Sequence, residues 1–226
     1  MRIDQPDIVF FDCDHTLIDT DCELTWKNML ADLGMVPEEH RAKQQHYVDL
    51  HAAGQTPEKE HLEFILREFI GQTPDRMESL ARDNFQKYIS DKIYPHARME
   101  IEMWKDRGIP VVMLSGSTRV MVTPIAAALG LSDVACTELE LEDGTYTGRI
   151  VGLFCIRDGK LKRGLQYCRD RGIDFRCAVY YGDSISDIQI FEKVGQAVAV
   201  NPNEKLKALA RENNWRVVKW ERRKDL

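Results

Sequence analysis

Phe10–Leu17 reads FFDCDHTL, two aspartates one residue apart at the end of an apolar run. Ile8 to Phe11 is short, β-branched and aromatic, which predicts a buried strand. A fold gains nothing from two negative charges at the end of such a strand unless a cation or a ligand needs them there. Outward from this point the same arrangement recurs. Apolar runs predict further strands at Pro110 to Leu114, Ala178 to Tyr181, Ala197 to Val200 and Trp215 to Val218. Amphipathic stretches separate them: Val120 to Leu129 ahead of Gly130, Lys160 to Arg171 ahead of Gly172, and Ile185 to Val194 ahead of Gly195. Each glycine stands where a helix end favours a left-handed residue. The alternation predicts an α/β fold, Rossmann-like, with a mostly parallel sheet and helices on both faces. One antiparallel excursion is expected, a hairpin over Thr137 to Ile150 turning at Asp143-Gly144.

Between Asp19 and Asp91 no strand pattern occurs, while Leu62, Ile65, Leu66, Phe69 and Ile70 recur at helical spacing. We read a helical cap over residues 19–91, inserted after the first strand, with residues 1–18 and 92–226 forming the α/β core. Thr56-Pro57 and Thr73-Pro74 are expected to start two cap helices, a hydroxyl N-cap before a proline.

A chain of 226 residues can bury a sizeable core. The N-terminal MRIDQPD lacks the basic start and long apolar stretch of a signal peptide, and no run is long enough to span a membrane. The six cysteines form no CxxC pair and fit a reduced cytoplasm. A net charge of −6 offers no footprint for nucleic acid, and the basic run Arg222 to Lys224 is expected to be a solvated tail. The number of subunits is left open.

Three polar clusters follow three predicted parallel strands: Asp12, Asp14 and Thr16; LSGST, Leu114 to Thr118; and GDSISD, Gly182 to Asp187. Ligands of open α/β sheets bind at the carboxyl ends of strands, so the clusters are expected to converge. Singly, each is at least as readily a set of helix caps. Together, Asp12, Asp14, Asp183 and Asp187 would repel by several kcal/mol without a cation. Hard oxygen donors favour Mg²⁺, which commonly shares its shell with a phosphate. Ser115 and the backbone N–H groups from Gly116 onward, at a helix start, suit an anion. Lys160 could balance charge in the same crevice, or be an ordinary surface lysine beside Lys162 and Arg163.

In order and spacing, DCDHTL, LSGST, an upstream lysine and YGDSISD resemble the four motifs of the haloacid dehalogenase-like hydrolases. The helical insert directly after the first motif is similar to the phosphoserine-phosphatase-like branch. The resemblance implies a Mg²⁺-dependent phosphatase of a small-molecule phosphate monoester, phosphoserine-like or histidinol-phosphate-like, that works through an aspartyl-phosphate. It implies Asp12 as nucleophile, Asp14 as general acid and base, and Lys160 as partner of Asp12. Mg²⁺ would be held by Asp12, the Asp14 carbonyl and Asp183, with Asp187 in support. Thr16 would brace the loop, Ser115 and Gly116 would bind the phosphoryl group, and Asp21 and Glu23 would face a substrate amine. Two positions depart from the pattern, Cys13 and His15; the first reads as core packing and the second as a residue capping the turn.

Arg41, Lys43 and Arg67 could meet a substrate carboxylate, though salt bridging along a helix is their commoner fate. His40, His46, His51 and His61 form no metal-ligand spacing and are expected to be exposed helix residues, one of them near the substrate. Two alternatives share the motifs: a phosphotransferase that passes the group to an acceptor alcohol, and a non-catalytic domain that binds a phosphorylated ligand. A nucleotide-binding dehydrogenase is set aside because the first strand leads to DCDHTL and not to a glycine-rich turn.

Overall fold

The computed structural model describes residues 5–131 and 133–221; the basic run Arg222 to Lys224 lies outside them. The described strands are β1 (Ile8–Phe11), β2 (Val111–Thr118), β3 (Asp133–Glu142), β4 (Thr145–Val151), β5 (Ala178–Gly182), β6 (Gln196–Val200) and β7 (Arg216–Val218). They form one sheet in the order β4-β3-β2-β1-β5-β6-β7. Every pairing is parallel except β3 with β4. Alternate residues serve opposite faces, as a period of two requires. Val9, Phe11, Val111 and Met113 join one buried cluster, and Ile8, Phe10, Val112 and Leu114 the other. Burial on both faces explains why these strands read as continuous apolar runs.

Helices α1 (Cys22–Asp32), α2 (Glu39–Ala52), α3 (Glu58–Leu66) and α4 (Pro74–Asn84) follow β1 with no strand among them. They are followed by α5 (Pro95–Asp106), α6 (Arg119–Ala128), α7 (Arg157–Arg169), α8 (Ile188–Phe191) and α9 (Glu204–Glu212). The chain leaves and re-enters the sheet layer at one place, where Ile18 bridges Ile93 and Asp19 N–H donates to the Lys92 carbonyl at 2.8 Å. Trp26, Phe64 and Phe69 of the helical excursion belong to the same buried cluster as Val9 and Met113. The β3–β4 hairpin reaches the excursion too: Gly71 N–H donates to Tyr146 O at 2.8 Å and Tyr146 N–H to Gln72 O at 2.9 Å.

Several expectations about elements are corrected. The hairpin strand begins at Asp133, not Thr137, because its first half pairs in parallel with β2 before its second half turns to β4. β2 runs on to Thr118, so Ser115 and Gly116 lie in an irregular strand end and α6 starts only at Arg119. α7 begins at Arg157, which places Lys160 one turn inside it. Ile185 to Val194 is a 3₁₀ turn followed by the four-residue α8. Gly130 and Gly172 do take φ of 62° and 68°, but Gly195 has no positive φ and donates its N–H to Ala178 O at 3.1 Å. Neither threonine hydroxyl caps its helix: α3 starts after Pro57 with Thr56 Oγ1 buried and unpartnered, and Thr73 occupies the N-cap position without a side-chain bond.

Candidate active site

The turn after β1 is built around one carbonyl. Cys13 O accepts N–H groups from Thr16, Leu17 and Ile18 at 3.3, 2.8 and 3.3 Å, and His15 takes φ 55° to let the chain curl so tightly. A left-handed non-glycine residue is uncommon, with histidine among the types that tolerate it. The curl turns Asp12 into a pocket at the carboxyl end of the sheet. Asp12 is 6% exposed, and its Oδ1 accepts from its neighbour's N–H, Cys13, at 2.8 Å and from Lys160 Nζ at 2.8 Å. Oδ2 takes neither bond.

Lys160 reaches this point from α7 and is 4% exposed, so it is no surface lysine. Its ammonium also donates to Asp187 Oδ2 at 2.9 Å, and that oxygen accepts from Tyr180 OH at 2.5 Å. Burial alone would lower the Lys160 pKa, but Asp12 and Asp187 outweigh it and the net direction is upward. Asp187 thus stands behind the lysine, away from the pocket wall, whereas Asp183 lines the pocket and accepts from Thr16 Oγ1 at 3.3 Å. Burial, against the pull of Lys160 and with Asp187 and Asp14 adding to it, pushes Asp12 up to about 7. Burial and then Asp12 and Asp187 push Asp183 well up. Asp12 and Asp187 share one ammonium while Asp183 lines the same pocket, and these hard oxygen donors fit a divalent cation such as Mg²⁺.

Asp14 faces a second set of groups. Its oxygens accept from Cys22 N–H at 2.7 Å and Ser117 Oγ at 2.9 Å, and Ser117 Oγ lies 2.9 Å from Glu23 Oε2 as well. One hydroxyl carries one proton, so both contacts are satisfied only if one of the carboxyls is protonated. Glu23 fits that role: burial, then Asp21 and Asp14, push its pKa well up. Asp21 caps α1 by accepting from Leu24 N–H at 2.7 Å, and burial with Asp14 nearby pushes it up to about 8. Oxygens of Asp14, Asp21 and Glu23 lie within 4.8 Å of one another.

Ser115 does not line the pocket. It is fully buried, and its Oγ accepts from Ser117 N–H at 3.1 Å. Gly116 lines the pocket, and a Cβ there would lie 2.9 Å from Ile156 Cγ2 and 3.2 Å from Cys155 O. Thr137 holds that approach together, donating to Gly116 O at 2.6 Å and accepting from Cys155 N–H at 3.1 Å. The sequence carried no signal for Thr137 in this role, because its partners lie far away along the chain.

Of the predicted site residues, Asp12, Asp14, Asp21, Glu23, Gly116, Lys160 and Asp183 line one pocket. Thr16, Ser115 and Asp187 stand behind its wall and hold those that do. The opposite wall comes from α2 and α3, with Gln44, Tyr47, His51 and His61. The expectation of exposed cap histidines fails for three of four: His51 is half-buried, and His40 and His61 are 7% and 8% exposed. Both sit against Phe64 or Tyr47, so their rings pack as aromatic faces. His51 is half-buried and lies 3.0 Å from Ser186 Oγ, across the pocket from its own helix.

The model of the haloacid dehalogenase-like hydrolases matches residues 9–192. The chain belongs to that family. Within this hydrolase family it is 28% identical over 216 residues to a histidinol-phosphatase of Neisseria meningitidis, covering 93% of this chain and 97% of the relative. Its structure is similar to a protein of unknown function from Bordetella pertussis, with TM-score 0.85, 25% identity, and 95% and 98% of the two chains covered. A phosphoserine phosphatase captured as a phospho-aspartyl intermediate analogue shares the fold, with TM-score 0.70, 20% identity, and 96% and 95% covered. The chain spans about half the length of several mycobacterial relatives, one of them named phosphoserine phosphatase SerB1. The α/β core with helices placed after β1 is therefore that of a haloacid dehalogenase-like enzyme with phosphatase-named relatives.

Proposed function

We propose that this haloacid dehalogenase-like hydrolase is a Mg²⁺-dependent phosphatase of a small-molecule phosphate monoester, with Asp12 as the nucleophile. The observation that carries the reading is Asp12 itself, buried at the end of β1 with Oδ1 tied to Lys160 and to Cys13 N–H, both at 2.8 Å. A carboxylate held by one oxygen keeps the other available to attack phosphorus. Attack by Oδ2 forms the Asp12–phosphate bond as the phosphorus–ester oxygen bond breaks and that oxygen leaves with its electron pair, and Asp14, which enters this step protonated, gives the oxygen its proton. Asp14 then takes a proton from the water that attacks the same phosphorus and releases inorganic phosphate. Bonds from Ser117 Oγ and Cys22 N–H fix the Asp14 carboxylate for both transfers.

Asp12, Asp183 and the Asp14 carbonyl are the groups we assign to Mg²⁺, with Asp187 acting through Lys160. When bound, the ion supplies positive charge beside the transferring phosphoryl oxygens. Gly116 lines the pocket and packs on Ile156 and Cys155 with no room for a side chain, and we assign its backbone N–H to the phosphate. Residues 19–91 are read as the cap, whose pocket-facing side excludes water and meets the alcohol. Asp21 and Glu23 line the pocket at the start of α1, an ammonium bound there would draw off their protons and leave both as carboxylates facing it, and the histidinol-phosphatase relative supports an amino-alcohol ester. The six cysteines are all free thiols, in accord with a reducing cytoplasm. Among the described residues no helix is long and apolar enough to cross a membrane.

Hydrolysis of a panel of phosphate monoesters is the test. Activity is expected with Mg²⁺, lost on chelation with EDTA, and reduced at least about a thousandfold by Asp12→Asn, since a nucleophile has no substitute. Undiminished turnover by Asp12→Asn would refute the assignment.

A further inference from the structure

The pocket wall opposite Asp12 holds a group that the proposed reaction does not use. His61 on α3 is 8% exposed and lines the pocket, yet neither ring nitrogen has a hydrogen-bond partner. Gln44 on α2 is 1% exposed, lines the same wall, and its Oε1 is also unpartnered. A buried polar group left unpaired costs about 1–3 kcal/mol, so two of them facing one space mark a place that a ligand's own polar atoms complete. Burial, with His51 and Lys27 nearby, pushes His61 down to about 4. The ring is therefore neutral near pH 7, with one nitrogen donating and the other accepting. Tyr47, its ring centroid 4.6 Å from that of His61, and Phe154 at 6.2 Å give the same region flat apolar sides.

The charges nearby are as informative. Arg41 is paired with Asp32 and Glu38 at 2.6 and 2.7 Å, Lys43 lies over the Phe64 and Tyr47 rings, and Arg67 is exposed. None of the three lines the pocket. Among the described lining residues Lys160 is the one Lys or Arg, and it is held by Asp12 and Asp187. A substrate carboxylate would meet no unpaired Lys or Arg among the described lining residues.

We propose that His61, with Gln44 beside it, determines substrate specificity by reading an uncharged planar ring that carries both a hydrogen-bond donor and an acceptor, at the end of the alcohol remote from the phosphate, while the pocket turns away a carboxylate. This rests on the phosphatase reading and narrows its substrate to amino-alcohol phosphates bearing a heteroaromatic group. A site built around hydrogen bonds rejects ligands that leave its buried groups unpaired, more strongly than an apolar slot rejects a wrong shape.

Three amine-bearing esters separate the elements of the proposal: histidinol phosphate has the ring, phosphoethanolamine lacks it, and phosphoserine replaces it with a carboxylate. The expected order of kcat/KM places histidinol phosphate first and phosphoserine last. His61→Phe keeps a ring-sized side chain and removes both nitrogens. It should lower kcat/KM for histidinol phosphate at least about tenfold more than for phosphoethanolamine, with the loss carried in KM. Gln44→Met, which leaves His61 in place, should act in the same direction. Equal losses on both esters, or phosphoserine hydrolysed as well as histidinol phosphate, would overturn the proposal. Calorimetric binding of histidinol, the dephosphorylated alcohol, needs no turnover. Binding by the native chain that is lost in His61→Phe supports the ring reading even if no ester is hydrolysed, in which case it is the phosphatase reading that fails; equal binding by both proteins overturns the ring reading.

Discussion

Lys160 is the residue on which the charge balance of the site turns. It is buried with Asp12 and Asp187 at 2.8 and 2.9 Å, so removing it leaves carboxylates in a place where water cannot solvate them. Breaking a buried pair from one side costs about 3–5 kcal/mol. Lys160→Met should therefore lower unfolding stability in the metal-free protein by about that much, and adding Asp187→Leu should restore part of it. Urea titrations of the single and double variants measure both effects, and a loss below about 1 kcal/mol would show that the lysine is dispensable to the fold. His61 gives a pH dependence with a definite sign. Its pKa lies at about 4 in the folded chain against an ordinary 6.5, so the unfolded chain binds the extra proton first as pH falls. The stability this contributes is present above 6.5 and is lost on acidification toward 4, up to roughly 3 kcal/mol. Urea midpoints at about pH 7 and about pH 5 should fall further for the native chain than for His61→Phe. Parallel losses would mean that the imidazole is hydrated in the folded state.

At the level of elements, the β3–β4 hairpin holds the helical excursion over the pocket. Tyr146 exchanges backbone hydrogen bonds with residues 71 and 72, and its ring, 6% exposed, stands edge-on to Phe69 at 5.6 Å. Tyr146→Ala removes a buried aromatic and should cost about 3 kcal/mol, raising KM more than it lowers kcat because the wall that meets the alcohol loosens. Differential unfolding and steady-state kinetics would show this, and an unchanged KM would detach the hairpin from substrate binding. The sequence made some elements plain and hid others for physical reasons. Strands buried on both faces announce themselves as apolar runs, which is why β1, β2, β5 and β6 were legible. His40 and His51 of α2 were expected to be exposed because charged and amide residues dominate EHRAKQQHYVDLHA. The inward stripe of α2, His40, Gln44, Tyr47 and His51, does have helical spacing, but a polar pocket wall breaks the rule that equates polar with exposed. The helix expected over Ile185 to Val194 is shorter than its pattern because Ser184 accepts from Ser186 N–H and starts a 3₁₀ turn, a local bond that no periodicity reveals, which leaves only α8 as α-helix.

Across the whole molecule, the motifs at the ends of β1, β2 and β5 meet because β1 lies between the other two in the sheet. The chain proceeds from β1 to one side through β2 and β3, then crosses back to β5 and β6, and the crevice opens where its direction reverses. This topology is why Asp12, Gly116 and Asp183, from the motifs after three strands, could be gathered from sequence order, while the half of the pocket that meets the alcohol could not: it is supplied by helices whose orientation depends on packing between layers. The central claim is that Asp12 takes the phosphoryl group covalently. Borohydride reduction of the acid-quenched enzyme during turnover, followed by peptide mass spectrometry, tests it most directly. Homoserine at position 12, dependent on substrate and Mg²⁺, is the predicted result; homoserine at another carboxylate, or rapid turnover with Asp12 never modified, would contradict it.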